Sequence, residues 1–221
     1  MITSKLNIVI VSNDSEFAQA MGIRRSVFVD ECKLDEKKEF DGNDYCATHI
    51  LALDGDTPVG TMRIRYFNGF VKMERMCVVK DYRKTDASEQ IMQKGMDFVA
   101  QKGYEKVYGV CKKELLSRWQ KNGFEVIPDT PLIEQNGQTL IPIFCNLEKR
   151  QDVLTMQTSA EVLNAKEGTW FDDKSAQNQS SRLKKLTEKV KLIKEENLTS
   201  EQKWFTPIIY PDLHKTDNKT Y

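Results

Sequence analysis

Apolar positions along the chain switch between two periods. Residues 6–11 form a β-branched run, and Asn13 or Asp14 can cap a helix carrying Phe17, Met21, Val27 and Phe28 toward a core. Residues 33–45, KLDEKKEFDGNDY, are charged and contain Gly42, which suits an ordered surface loop. Strands are predicted over 47–53, 59–66 and 71–79. The turns between them, Asp54-Gly55-Asp56-Thr57-Pro58 and Asn68-Gly69, make an antiparallel meander. From Asp86 onward Ala87, Ile91, Met92, Phe98 and Val99 recur at helical spacing, and Gly103 sits where a C-terminal cap belongs. A strand over 106–111, a helix over 113–122 closed by Gly123, and a strand over 139–147 with Pro142 marking an edge or bulge complete the pattern. The order β-α-β-β-β-α-β-α-β predicts an α+β sandwich.

After about residue 150 apolar positions thin out and Gln, Asn, Ser, Lys and Glu dominate, so the chain divides into a main domain, 1–149, and an extension, 150–221. Within the extension Leu183, Leu186, Val190 and Ile193 make one apolar stripe on a helix near 180–196, and the WFTPIIYP run at 204–211 is also apolar. Something must cover that stripe: the main domain itself, or a second subunit or partner protein.

Composition removes several classes. Lys plus Arg equals Asp plus Glu at 33 each, so no net field recruits nucleic acid or an anionic membrane. The five cysteines, Cys32, Cys46, Cys77, Cys111 and Cys145, are scattered without metal spacing and are expected to be reduced thiols serving as small core hydrophobes. His49 and His214 are too few for a histidine-rich metal site, so no metal is expected. His49 is expected as a satisfied inward histidine. No signal-like or membrane-length apolar segment is present, which predicts a cytoplasmic protein.

Residues 71–92, VKMERMCVVKDYRKTDASEQIM, carry the chemistry. An apolar strand runs through a basic turn into an amphipathic helix, and exposed backbone at a helix N-terminus suits an anionic cofactor. Together with IRRSVFVDE at 23–31, EFDGND at 39–44, ATHILAL at 47–53 and RWQKNGFEVI at 118–127, this stretch resembles the GCN5-related N-acetyltransferase (GNAT) superfamily over residues 5–147, and its ElaA-like branch in particular. The resemblance implies a mostly antiparallel twisted sheet flanked by helices, with a helical or irregular C-terminal extension. It also implies acetyl-CoA, or another acyl-CoA, as co-substrate and a small amine as acceptor.

On that resemblance, backbone groups around Met76, Cys77 and Val78 stay free to bind pantetheine like another strand. The pyrophosphate then meets the amides of residues 84–88 (Lys84, Thr85, Asp86, Ala87 and Ser88) and the side chains of Arg83 and Lys84. Asp86 and Ser88 stand where the family has glycines, and Asp86 with Glu89 forms a capping pair expected to compete with phosphate for the same donors. Glu74 is the candidate base, sharing a face with Met76 and Val78 by simple alternation unless a bulge shifts the register; the alternative is pairing with Arg75 or Lys72. Trp119 replaces the family's acidic tyrosine and suits core packing, which leaves thiolate protonation to water or to a tyrosine such as Tyr108. Glu39, Asp41 and Asp44 either form an acidic mouth for a cationic amine or are a solvated charged loop.

A second resemblance is partial. Arg24, Phe28, Asp41, Asp44, Arg63 and Arg75 fall in the order seen in acyl-homoserine-lactone synthases, which implies long-chain acyl transfer from an acyl carrier protein. That family's tryptophan near residue 33 is missing here, and Lys72 stands where its strand glutamate would fall. A non-catalytic binding protein of the same fold is the remaining reading.

Overall fold

The computed structural model describes residues 6–135 and 137–170. The predicted helix near 180–196 and the 204–211 run lie outside the described residues. The chain divides into two compact units, Met1–Val153 and Leu154–Tyr221. In the second, Ser159 caps a short helix, Ala160–Leu163.

The first unit opens with β1, Asn7–Ile10, and α1, Asp14–Arg24. Asn13, one of the two predicted caps, accepts from the Glu16 amide at 2.9 Å. The helix then widens over Arg25–Glu31, where Cys32 N–H bonds back to the Val27 carbonyl, a five-residue step. The charged segment expected as a loop forms a one-turn helix, α2, Glu36–Glu39, and a 3₁₀ turn, Asn43–Cys46, entered through Gly42 at φ 78°.

The meander is β2, Thr48–Asp54, β3, Thr57–Phe67, and β4, Phe70–Val78. Helix α3, Ala87–Gln101, then crosses over to β5, Lys106–Lys112, so β4 and β5 run parallel. The predicted helix over 113–122 is a 3₁₀ turn, Lys113–Leu115, followed by α4, Leu116–Gln120. Two short strands that the apolar pattern did not mark, β6, Glu125–Val126, and β7, Ile133–Gln135, pair with β8, Gln138–Asn146. The sheet order is β1-β2-β3-β4-β5-β8-β6, antiparallel except at β4–β5.

Pro142 of β8 sits where β6 gives way to β7. Its carbonyl accepts from Ile127 at 3.1 Å, and because N and O of one strand residue point the same way, the missing N–H is not turned toward β5.

The two faces of the sheet carry different helices. On one, Ala20, Ile23 and Val27 pack against Leu51 and Cys77. On the other, α3 approaches so closely that a Cβ on Gly95 would overlap Met62 Cε and lie 3.1 Å from Ile50 Cδ1 and 3.3 Å from Met73 Cε. All three neighbours are fully or almost fully buried.

Gly95→Val is therefore expected to destabilise the protein by about 1–3 kcal/mol in urea unfolding, overpacking outweighing the relief of a mid-helix glycine. An unchanged or raised midpoint would contradict this packing.

Candidate functional site

The β4–β5 ladder contains only two residue pairs, Val71↔Val107 and Lys72↔Tyr108. Beyond them β5 turns to β8 and β4 stays with β3, so the sheet parts. A cavity of about 520 Å³ opens into the parting, lined by Met73, Glu74 and Met76 of β4 and by Val110, Cys111 and Lys112 of β5. Phe28 and Leu34 on the α1 side, and Leu115, Trp119 and Leu140 on the other, give it apolar walls.

A bulge sets which backbone groups face this gap. Arg63 opposes Glu74 and Thr61 opposes Cys77, one residue out of step, with Arg75 at φ 54° taking up the extra residue. Glu74 therefore shares a face with Cys77 rather than with Met76 and Val78, which corrects the simple alternation.

Val79 N–H bonds to the Val59 carbonyl at 2.9 Å. By alternation Cys77 turns its backbone groups to β3, while Met76 and Val78 turn theirs to the gap. Of the three expected strand contacts, then, Cys77 is turned away. The Val78 carbonyl is occupied by Arg83 Nε at 3.0 Å. The Cys77 thiol is buried, and burial pushes its pKa up, so it is inert.

The turn before α3 also differs in detail from expectation. Asp86 makes no side-chain cap bond; its carboxylate accepts from Gln90 Nε2 at 2.9 Å. Glu89 instead takes Arg118 Nε at 3.0 Å and the Ser88 hydroxyl at 2.9 Å, so the expected competition between cap and phosphate does not arise. The Thr85 amide bonds to the Tyr82 carbonyl, and the Ala87 amide to Thr85 Oγ1. Among the described residues the amides of Lys84, Asp86, Ser88 and Glu89 have no hydrogen-bond partner, a cradle at a helix N-terminus that fits an anion. Arg83 is clasped by both Glu31 oxygens at 2.6 Å, a partner the sequence did not suggest.

The three acids expected to form a mouth turn inward. Arg24, fully buried, bonds to Glu39 through Nε at 2.6 Å and pairs with Asp44 through Nη1. Arg63, also fully buried, takes Asp41 at 2.8 and 2.9 Å, Asp44 at 2.8 Å and Glu74 at 2.8 Å. Arg75 lies 2.9 Å from Glu39, and Lys72 is 2.8 Å from Glu74. Burial pushes the Glu74 and Asp44 carboxyls up, but the cations around them outweigh it, and both titrate below the ordinary carboxylate range. Asp41 is held lower still by the Arg63 guanidinium, whereas burial leaves Glu39 above its ordinary value. The acidic-mouth expectation fails because these carboxylates neutralise buried arginines.

His49 is buried beside the network. Its Nε2 meets the Asp44 carbonyl at 3.0 Å, while Nδ1 has no hydrogen-bond partner, and burial lowers its pKa. Trp119 packs edge-on against Phe124 at 4.8 Å, in accord with a packing role, and also lines the cavity. Tyr108 is not among the cavity residues. The β5 wall and Arg65 were not singled out from sequence; the apolar strand run TMRIR, which holds two arginines, was the available signal.

Among the described residues no group of side chains could hold a metal ion, and no helix is long and apolar enough to cross a membrane. The model of the acetyltransferase (GNAT) family matches residues 16–124. The chain is 27% identical over 129 residues to an uncharacterized N-acetyltransferase, YjcF, of Bacillus subtilis (strain 168), covering 58% of this chain and 92% of that one. It is 31% identical over 126 residues to the uncharacterized protein YyaT of the same organism, covering 55% and 84%. Among solved structures, Escherichia coli ElaA superposes with a TM-score of 0.56 at 23% identity over 64% of this chain and 99% of that one. A CoA-dependent acyl-homoserine lactone synthase, BjaI, solved with SAM and isopentyl-CoA, gives 0.56 at 19% identity over 66% and 86%.

Arg24→Met tests the ion network. It takes the fully buried arginine from both Glu39 and Asp44, leaving them Arg75 and Arg63, and the expected loss at pH 7 is about 3–5 kcal/mol in urea unfolding. Asp41, Asp44 and Glu74, with depressed folded-state pKa values, contribute stability above their unfolded values that is lost as pH falls through the folded ones. The gap between wild type and variant should accordingly narrow toward pH 3; a loss below about 1 kcal/mol at pH 7 would contradict a network that needs Arg24.

Proposed function

Because the chain belongs to the GNAT acetyltransferase family, we propose that it moves an acetyl group from acetyl-CoA to a small primary amine by direct attack of the amine on the thioester. The observation that carries this reading is the two-pair β4–β5 ladder with a cavity in the parting beyond it. Met76 and the Val78 amide supply the edge on which the pantetheine arm lies as an added strand. The free amides of Lys84, Asp86, Ser88 and Glu89 take the pyrophosphate. Arg83 braces Val78 to Glu31, and Lys84 is the basic side chain of that turn.

Glu74 faces the cavity as an ionised carboxylate and accepts the ammonium proton of the acceptor. As the amine nitrogen bonds to the thioester carbon, the carbon–sulfur bond breaks. The ammonium proton passes through Glu74 to solvent, and the departing thiolate takes one from a water that in turn receives the nitrogen's second proton as the amide forms, since the Trp119 indole cannot donate as an acid. A second reading, transfer of a longer acyl chain, is favoured by two observations. The apolar cavity wall of Phe28, Leu34, Leu115, Trp119 and Leu140 exceeds what an acetyl group needs. In addition, Arg24, Asp41, Asp44, Arg63 and Arg75 converge in one network. Turnover of acylated carrier protein in preference to acetyl-CoA would select it.

Glu74→Gln is expected to lower kcat about a hundredfold with the KM for acetyl-CoA unmoved. With its pKa depressed, Glu74 stays ionised as pH falls to its ordinary value of 4.5, so the wild-type profile should show no ionisation from it above that pH. A full rate in the variant would remove Glu74 from the chemistry. Asp86→Gly takes a negative charge away from the pyrophosphate cradle, and calorimetry should show CoA binding about threefold tighter or better. Equal or weaker binding would place the pyrophosphate elsewhere.

A further inference from the structure

The cations at this site outnumber the carboxylates available to them. Arg24, Arg63, Arg65, Lys72 and Arg75 share Glu39, Asp41, Asp44 and Glu74, five positive charges against four negative. The excess is not spread evenly. Arg24 and Arg63 are fully buried and take Glu39, Asp41 and Asp44. Among the described residues Arg65 and Lys72, each with 26% of the side chain exposed, have only Glu74 as an ion-pair partner between them, and Glu74 is also held by Arg63. Arg65 reaches that carboxylate at no better than 3.9 Å. Lys112, across the cavity on β5, has no ion pair among the described residues.

We infer that the acceptor amine carries a carboxylate within a few bonds of its nitrogen, as an α- or β-amino acid does, and that Arg65 and Lys72 seat it. This rests on the acyl-transfer reading and deepens it. A plain cationic amine meets a surplus of positive charge in this cavity, where Glu39 and Asp41 are already held by Arg24, Arg63 and Arg75 and Glu74 is shared. A zwitterion places its ammonium on Glu74 and its carboxylate on Arg65 and Lys72, the two partly exposed cations of the three within 4 Å of Glu74, satisfying both. The same cations are poorly placed for the donor's phosphates. Lys72 lies six residues back along β4 from Val78, about 20 Å at strand rise, while the free amides of the α3 turn lie beyond Val78. The short separation of Lys72 from Glu74 sets the size class, since amine and anion must lie side by side rather than at the two ends of a long chain.

The test is saturation-transfer NMR on the full chain with CoA bound, using the twenty L-amino acids and β-alanine beside their amides. At least one acid should bind about tenfold more tightly than its amide. Arg65→Gln and Lys72→Gln should each erase that difference, with CoA affinity by calorimetry unchanged and the circular dichroism of a folded chain retained. Amides that bind as well as acids, or no acid that binds at all, overturn the inference while leaving acyl transfer standing. A CoA affinity that falls in the two variants assigns these cations to the donor and also overturns it. Failure of the wild type to bind CoA brings down the acyl-transfer reading, and the inference with it.

Discussion

Two residue pairs hold β4 to β5, and the site depends on how few they are. A parallel ladder carried to the ends of both strands would leave no cavity, no free strand edge and no path from the α3 turn to Glu74. The parting has a local cause. β4 keeps its register with β3 only by absorbing an extra residue at Arg75, and bulges increase strand twist, while β5 is committed to β8 along its whole length. The polar groups left over at Met76 and Val78 need a partner, and a thioester's amide-bearing arm is chemically suited to be one.

Around that gap the protein separates two electrostatic tasks. On the proposed acceptor side, buried arginines draw the acidic residues of the α2 segment inward and lock that segment onto β3. The segment thereby becomes a wall of the cavity, with Glu39 and Asp41 among the lining residues. Breaking a buried pair costs far more than losing an exposed one, so this wall is expected to be rigid. On the proposed donor side, the turn before α3 offers unpaired amides beside an acidic side chain, Asp86, which is held by Gln90. The one presents charged side chains and the other free backbone amides, and β4 connects them.

The main elements were legible because their signals were local: alternation in the meander, helical spacing after Asp86, and turn dipeptides at Gly55 and Gly69. What escaped was set by distance. Arg24 and Asp44 lie twenty positions apart and Arg83 and Glu31 fifty-two, so their pairing leaves no mark in a periodicity. The bulge at Arg75 shifts Glu74 to the other face, and no residue type there announces it, since a non-glycine at positive φ is the unusual choice. β7 was missed because a strand of three residues carries no alternation to detect. Asp86 was expected to cap α3, but the Thr85 hydroxyl does part of that work instead.

The proposed seat of the thioester is the parting of β4 and β5. Amide hydrogen exchange with and without CoA tests this most directly, residue by residue. The predicted result is slower exchange on CoA addition at Met76 and Val78, and at Lys84, Asp86, Ser88 and Glu89, with Cys77 unchanged because its amide already faces β3. Protection confined to other regions, or none along β4 at saturating CoA, would contradict it.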